Sequence, residues 1–223
     1  MKMRREQKLG AGIGLFVAFA LWTVAVRLID VRPIGPNGSH VGFAAWNAAV
    51  HDLTGVHWSL YVITDWLGLV PVCFMLGFAI LGLIQWIQRK QLFKVDRNIL
   101  VLGGFYLVVT AAYLFFEQFV VNYRPVLVNG FLEASYPSST TLLVLTVMPT
   151  AMMQLYARIQ NPRFRRSVMI VISGFIAFMV IARFLSGVHW VTDIIGGVLL
   201  SGSLVMLYDF FETSGEMNCT AEN

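Results

Sequence analysis

The chain has 223 residues, of which 57% are hydrophobic and only 13% are charged, and its mean hydropathy is +0.71. A soluble domain carries roughly 25% charged residues, so this composition excludes an ordinary soluble fold. The net charge of +4 could suit nucleic acid, but the basic residues lie in short clusters between apolar segments. That distribution is typical of membrane topology, and we expect no nucleic-acid partner.

Six apolar segments are long enough to cross about 30 Å of hydrocarbon. They cover residues 9–31, 59–87, 98–118, 138–158, 167–185 and 190–210. Because backbone inside a bilayer must satisfy its own hydrogen bonds, segments of this length predict helices. The sequence therefore predicts an all-α membrane protein, with one six-span domain over residues 1–210 and a polar C-terminal tail at 211–223. The first segment is longer than a secretory signal, so we expect it to remain as an anchor.

The basic residues are distributed unevenly between the two sides of the predicted spans. Twelve of the 16 lie on one side, in clusters at 2–8, 89–97 and 158–166. Lys and Arg are enriched in cytoplasmic connections, so both termini are predicted to be cytoplasmic. The connections 32–58, 119–137 and 185–190 are then extracytoplasmic.

The first of these outer connections has its own apolar pattern. Phe43, Trp46, Ala49 and Val50 fall on one face of a helix. This spacing predicts a short interfacial helix after the first span.

The outer segments also hold polar residues that suit one type of chemistry. His189 and Asp193 are four residues apart, so at a helix start they share a face. A carboxylate that accepts one ring N–H fixes the tautomer and leaves the other nitrogen free as a nucleophile. Arg124 and Arg183 offer guanidinium forks that match phosphate oxygens, and Ser138 stands at a helix start, which binds anions. Together these groups predict phosphoryl transfer.

Taken singly, each of these residues also has a structural explanation. His189 could be an interfacial side chain, Arg124 an interface anchor and Ser138 an ordinary helix cap. Asp65, inside the second span, is either functional or paired with a buried hydroxyl or arginine. A transporter is disfavoured because the polar residues lie at one face of the membrane rather than at mid-bilayer.

With these residues the chain resembles the type 2 phosphatidic acid phosphatase superfamily over residues 60–205. That family carries Lys-x6-Arg-Pro, Pro-Ser-Gly-His and Ser-Arg-x5-His-x3-Asp motifs in this order on a six-helix bundle. The third motif is matched by Arg183, His189 and Asp193, with Ala182 in place of the leading Ser. The first motif keeps Arg124 and its following proline.

The resemblance implies a lipid phosphatase or phosphotransferase at the extracytoplasmic face of a bacterial plasma membrane. It makes His189 the nucleophile that forms a phosphohistidine and Asp193 the residue that orients it. Phosphate binding would fall to Arg124, Arg183, Ser138 and Ser139. The implied substrate is a lipid phosphate or a polyprenyl diphosphate, and neither a cofactor nor a metal is expected.

Two departures from the family pattern bear on activity. Glu117 stands where the family has Lys, and Thr140 stands where it has the His that protonates the leaving group. A carboxylate would repel phosphate by about 4 kcal/mol at ~4 Å and an effective dielectric of ~20. Glu117 could instead pair with Arg124 or bind a cationic headgroup. The alternative function is thus a catalytically impaired relative that binds or moves phospholipid or polyprenyl phosphate.

Overall fold

The apolar segments of the sequence form long helices joined by polar connections. The computed structural model describes the backbone of residues 3–221 and the side chains of residues 3–213. The helices in chain order are α1 Arg5–Leu28, α2 Ala44–Thr54, α3 Trp58–Leu67, α4 Leu69–Arg89, α5 Arg97–Gln118, α6 Ser139–Arg158, α7 Pro162–Leu185 and α8 Val191–Ala221. Over the described residues, β-pairing is limited to isolated bridges in the connections.

Among the described residues, six helical segments are long and apolar enough to cross a membrane. They are α1, the pair α3–α4 over Trp58–Arg89, α5, α6, α7 and the part of α8 over Val191–Thr213. The predicted all-α bundle of six transmembrane helices is confirmed. The short helix predicted after the first span is also present, as α2.

The second span is interrupted near the end that carries the predicted site residues, a feature that was not predicted from the sequence. Pro71 lies in the first turn of α4 and has no N–H to donate to the carbonyl of Leu67. The helical assignment is therefore interrupted at Gly68, whose backbone keeps αR angles, and α3 is a separate helix of 10 residues within the same span. Helix α3 packs against α7, and the side chain of Thr64 is fully buried.

The fifth span is longer than predicted because its N-terminus is capped. Pro162 occupies the first turn of α7, where a missing N–H costs nothing. The Asn161 side chain accepts hydrogen bonds from the backbone N–H groups of Arg163 and Phe164, at 3.0 and 3.1 Å. Arg163, Arg165 and Arg166 therefore lie at the start of α7, and Arg158 is the last residue of α6, so the basic cluster lies largely outside the connection.

Helix α8 also continues beyond its predicted end at residue 210, as far as Ala221. The polar tail predicted for residues 211–223 thus begins inside this helix. Its side chains after residue 213 and its last two residues lie outside the described part of the chain.

Helices α1 and α8 pack closely and bring both described ends of the chain to one end of the bundle. The hydroxyl of Ser203 donates to the carbonyl of Gly12 at 2.9 Å, and a Cβ on Gly12 would collide with Leu207. Lys8 forms a buried ion pair with Asp209 at 2.8 Å. The connections that contain the predicted site residues lie at the opposite end.

Helix α6 is the central helix of the bundle and contacts α4, α5, α7 and α8. Its inward face is lined by Val144, Val147 and Ala151, none of which is measurably exposed. This packing fixes the position of the α6 N-terminus beside the start of α8. The fold therefore places the second and third sequence motifs next to each other.

Candidate functional site

His189 lies in the short connection between α7 and α8, and its conformation depends on close backbone contacts. The backbone N–H of His57 donates to the carbonyl of Ser186 at 3.0 Å. Gly187 adopts a φ of +68°, and a Cβ at this residue would lie 1.8 Å from the carbonyl oxygen of Gly55. Only glycine fits both conditions. The connection between α2 and α3 thus holds the loop that carries His189.

A serine hydroxyl links His189 to Asp193, which the sequence analysis did not predict. The Oγ of Ser135 lies 2.9 Å from Nδ1 of His189 and 2.5 Å from Oδ2 of Asp193. The predicted direct contact between imidazole and carboxylate is therefore wrong in this structure. His189 precedes α8, so it does not share a helical face with Asp193.

This arrangement determines the tautomer of the imidazole. The hydroxyl of Ser135 has one proton, and a carboxylate can only accept, so Ser135 donates to Asp193. Ser135 must then accept from Nδ1–H of His189, whose Nδ1 also lies 3.2 Å from the Ser135 carbonyl oxygen. The other ring nitrogen, Nε2, consequently carries a free lone pair.

Asp193 is fully buried, and its carboxylate is held by neutral donors. Oδ1 accepts from the side-chain amide of Asn122 at 3.2 Å, and Oδ2 accepts from the backbone N–H of Trp190 at 3.0 Å. With Ser135, these donors satisfy the carboxylate without a basic side chain in contact. The negative charge therefore remains available to stabilise a positive charge on the imidazole.

The free nitrogen of His189 faces a guanidinium group. Nη1 of Arg124 lies 3.4 Å from Nε2 of His189. Arg183 is 1% exposed, and its Nη1 donates to the hydroxyl of Thr64 at 3.2 Å. Burial, and then the charges of Arg124 and Arg183, lower the pKa of His189 well below its ordinary value. The ring is thus neutral at neutral pH, as a nucleophile must be.

The N-terminus of α6 lies beside Asp193 and has the donors that an anion site needs. Ser138 is fully buried at the N-cap position, but its side chain does not cap the helix. Its hydroxyl accepts instead from Thr141 at 3.0 Å, and its backbone N–H donates to the carbonyl of Asp193 at 3.1 Å. The N–H groups of the first turn therefore have no side-chain acceptor, and such groups bind anions.

The structure places the two divergent positions and Ser139 around the same helix start. Ser139 and Glu117 line a small pocket together with Ser135. Thr140 is buried in the first turn of α6. Among the described residues no hydrogen bond joins Ser139 to either arginine, whereas Ser139 shares this pocket with Glu117.

Of the alternatives for Glu117, pairing with Arg124 is not observed. Arg124 instead forms its ion pair with Glu133, with Nε and Oε2 3.1 Å apart. Asp65 lies on the exposed side of α3 and forms no ion pair within the described residues. In the described part of the chain, neither acid forms an ion pair with Arg124 or Arg183.

Ser135, Asn122 and Glu133 were not predicted as site residues, although a turn sequence between Asn122 and Glu133 indicated that their segments pair. The dipeptide Asn129-Gly130 has positive φ at both residues, 52° and 83°, and this dipeptide is a strong hairpin signal. The hairpin pairs the two sides of the connection: Arg124 donates to Glu133 at 3.1 Å, and Ser135 donates to Asn122 at 2.9 Å, both through the backbone.

Comparison with known proteins agrees with this geometry. Residues 100–213 match the sequence model of the PAP2 superfamily. The match covers just over half of the chain and includes Arg124, Ser138, His189 and Asp193, and the chain belongs to this superfamily. The predicted resemblance is therefore confirmed, and membership supports a phosphatase-like function in a membrane.

The fold is shared with a solved membrane protein. It is similar to the first transmembrane PAP2 type phosphatidylglycerolphosphate phosphatase from Bacillus subtilis, with a TM-score of 0.59 and 21% identity over 92% of this chain and 96% of that chain. A search of curated proteins found no match.

Proposed function

We propose that the protein is a lipid phosphatase or phosphotransferase that uses His189 as its nucleophile. The observation that carries this proposal is the orientation of the ring, with Nδ1–H directed to Ser135 and Nε2 directed to Arg124. A phosphate bound by Arg124, Arg183 and the N-terminus of α6 would present its phosphorus to the free nitrogen. Phosphorylated substrates of its PAP2 relative are lipids, which supports the same class here.

The reaction would proceed in two steps. Nε2 attacks phosphorus, the Nε2–P bond forms, and the P–O bond to the lipid breaks with its electron pair on the leaving oxygen. The imidazole becomes positively charged, and the chain through Ser135 to Asp193 stabilises that charge. Water, or an alcohol in a phosphotransferase, then attacks phosphorus, and the Nε2–P bond breaks with its electron pair on Nε2. The proton of the attacking oxygen is passed through solvent to the anion that left in the first step.

The second candidate function is binding or movement of a phospholipid or polyprenyl phosphate without turnover. Glu117 and Thr140 favour it, because the family's lysine and general acid are absent there. A phosphate-release assay on purified protein separates the two functions. Release from lipid mono- or diphosphates that disappears in His189→Ala supports the enzyme, whereas binding without release supports the alternative.

We also propose that the site faces the extracytoplasmic side, as the basic clusters predict. Phe131 is 72% exposed at the site end and Phe93 is 94% exposed at the opposite end, which makes them a matched pair. In a background without Cys73 and Cys219, a membrane-impermeant thiol reagent should label Phe131→Cys in intact cells. It should label Phe93→Cys only after permeabilisation. The reverse pattern would contradict the proposed orientation.

Removal of the linking hydroxyl should impair turnover without preventing lipid binding. In Ser135→Ala, His189 and Asp193 lose their shared partner, so kcat should fall about 10–100-fold while KM changes little. The measurement is steady-state kinetics on the best lipid substrate. Ser167→Ala serves as a control, because this hydroxyl is exposed on α7 and contacts only the carbonyl of Arg163. An unchanged kcat in Ser135→Ala would show that Asp193 acts without the link.

A further inference from the structure

Both guanidinium groups of the site lie over a single aromatic ring. The Cζ of Arg183 is 5.0 Å and the Cζ of Arg124 is 5.9 Å from the ring centroid of Tyr61. Cations within about 6 Å of an aromatic centroid are attracted by the negative face of the ring. Tyr61 lies in α3, outside residues 100–213 that match the family. No motif of the sequence analysis includes it.

The same helix contributes a second contact to Arg183. Thr64, one turn after Tyr61, accepts a hydrogen bond from Nη1 of Arg183 at 3.2 Å. The Thr64 hydroxyl is itself tied to the backbone carbonyl of Leu60 at 2.7 Å. Since Arg183 forms no ion pair within the described residues, Tyr61 and Thr64 provide its main support.

The ring contact suits a site that must bind an anion. Two buried guanidinium groups repel each other. The Glu133 carboxylate offsets part of the charge on Arg124, 3.1 Å from its Nε, whereas no carboxylate forms an ion pair with Arg183 within the described residues. An aromatic face attracts both groups without adding a negative charge. The ring itself uses none of their N–H donors, because cation–π attraction does not require a hydrogen bond. In the part of the chain that the structure describes, Nε of Arg183 is buried without a hydrogen-bond partner.

We propose that Tyr61 is a positioning residue whose ring holds Arg124 and Arg183 together to receive a phosphate group. This role of Tyr61 rests on the proposed function, because Arg124 and Arg183 are the residues proposed there to bind the phosphate. Tyr61 acts through the two arginines, and its ring rather than its hydroxyl carries the effect. It also assigns the first half of the chain a part in phosphate binding.

The test measures the affinity for inorganic phosphate by calorimetric titration of the purified full-length protein. Tyr61→Phe keeps the ring and should bind within about twofold of wild type. Tyr61→Leu and Tyr61→Met remove the ring, and their phosphate Kd should rise about 10-fold. Trp66→Leu is the matched control: it removes an aromatic residue from the same helix, but Trp66 is 71% exposed. Its phosphate Kd should stay at the wild-type value.

A second measurement separates positioning from general stability. Trp58 packs edge-on against Tyr61 at 5.7 Å, so loss of the ring also removes packing. If Tyr61 were only structural, Tyr61→Leu and Tyr61→Met would lower the melting temperature and leave the phosphate Kd unchanged. That result, an equal loss of affinity in Tyr61→Phe, or a wild-type protein that binds no phosphate would each overturn the proposal.

Turnover is measured separately on the same variants. A wild-type protein that binds phosphate in a Tyr61-dependent way but releases none from any lipid would support the role of Tyr61. The same result would contradict the proposed enzymatic function.

Discussion

Replacement of His189 by alanine should abolish phosphoenzyme formation and reduce turnover by at least about 10⁴-fold. The wild-type protein is mixed with a ³²P-labelled lipid substrate and the reaction is stopped rapidly without acid. This should trap a phospho-adduct that is stable in base and labile in acid. The adduct is expected on His189, because Nε2 is the free nitrogen that faces Arg124. His40→Ala is a suitable control, since this exposed histidine lies in an outer connection at the same end. An adduct that persists in His189→Ala would contradict the mechanism.

Because Ser135 links His189 to Asp193, we expect Asp193→Asn to change the tautomer of His189, and the same experiment tests this. An amide at residue 193 can donate to Ser135, which would then donate to Nδ1 of His189. The ring proton would move to Nε2, and the nucleophilic lone pair would be lost. We therefore expect a loss of about 10⁴-fold in turnover with little change in lipid binding, as for other imidazoles held in the wrong tautomer. Retention of rapid adduct formation in Asp193→Asn would show that the tautomer is set elsewhere.

The spans could be predicted from the sequence because bilayer thickness imposes a simple length on apolar segments. The break at Gly68 could not, since it interrupts a continuous apolar segment and depends on one missing donor, that of Pro71. The interruption ends α3, whose Tyr61 and Thr64 contact Arg183, and Gly68 alone separates it from α4.

The candidate site residues could be predicted from the sequence where they lie close together in the chain. Arg183, His189 and Asp193 share one connection and one helix start, so their spacing alone suggested a common site. Contacts between residues that lie far apart in the chain leave no such spacing in the sequence. The pairing of Ser135 with Asp193 depends on how the 119–138 connection packs on α8, and only the Asn129-Gly130 turn indicated its register.

Thr140 suggests which lipid this site would hydrolyse. Hydrolysis of a lipid monophosphate expels an alkoxide, which is about as basic as hydroxide, whose conjugate acid has a pKa of about 15.7. Such a leaving group needs a proton in the transition state, and a general acid contributes roughly 10²–10⁴-fold. The hydroxyl of Thr140 is itself an alcohol and cannot supply that proton. A lipid diphosphate expels a phosphate monoester, whose second pKa is about 6, so it can leave without one.

We therefore expect kcat/KM for a polyprenyl diphosphate to exceed that for phosphatidic acid by about 10²-fold or more. Thr140→His should raise activity on the monophosphate more than on the diphosphate, because it restores a general acid in the first turn of α6. Thr140→His is tested together with Glu117→Lys. Glu117 lines the pocket beside the first turn of α6, and its carboxylate would repel the negative charge of a bound phosphate. Thr140→Val, which keeps the shape and removes the hydroxyl, should change neither activity. Equal or higher kcat/KM on phosphatidic acid than on the diphosphate would refute the leaving-group argument, and turnover of neither would favour the binding function.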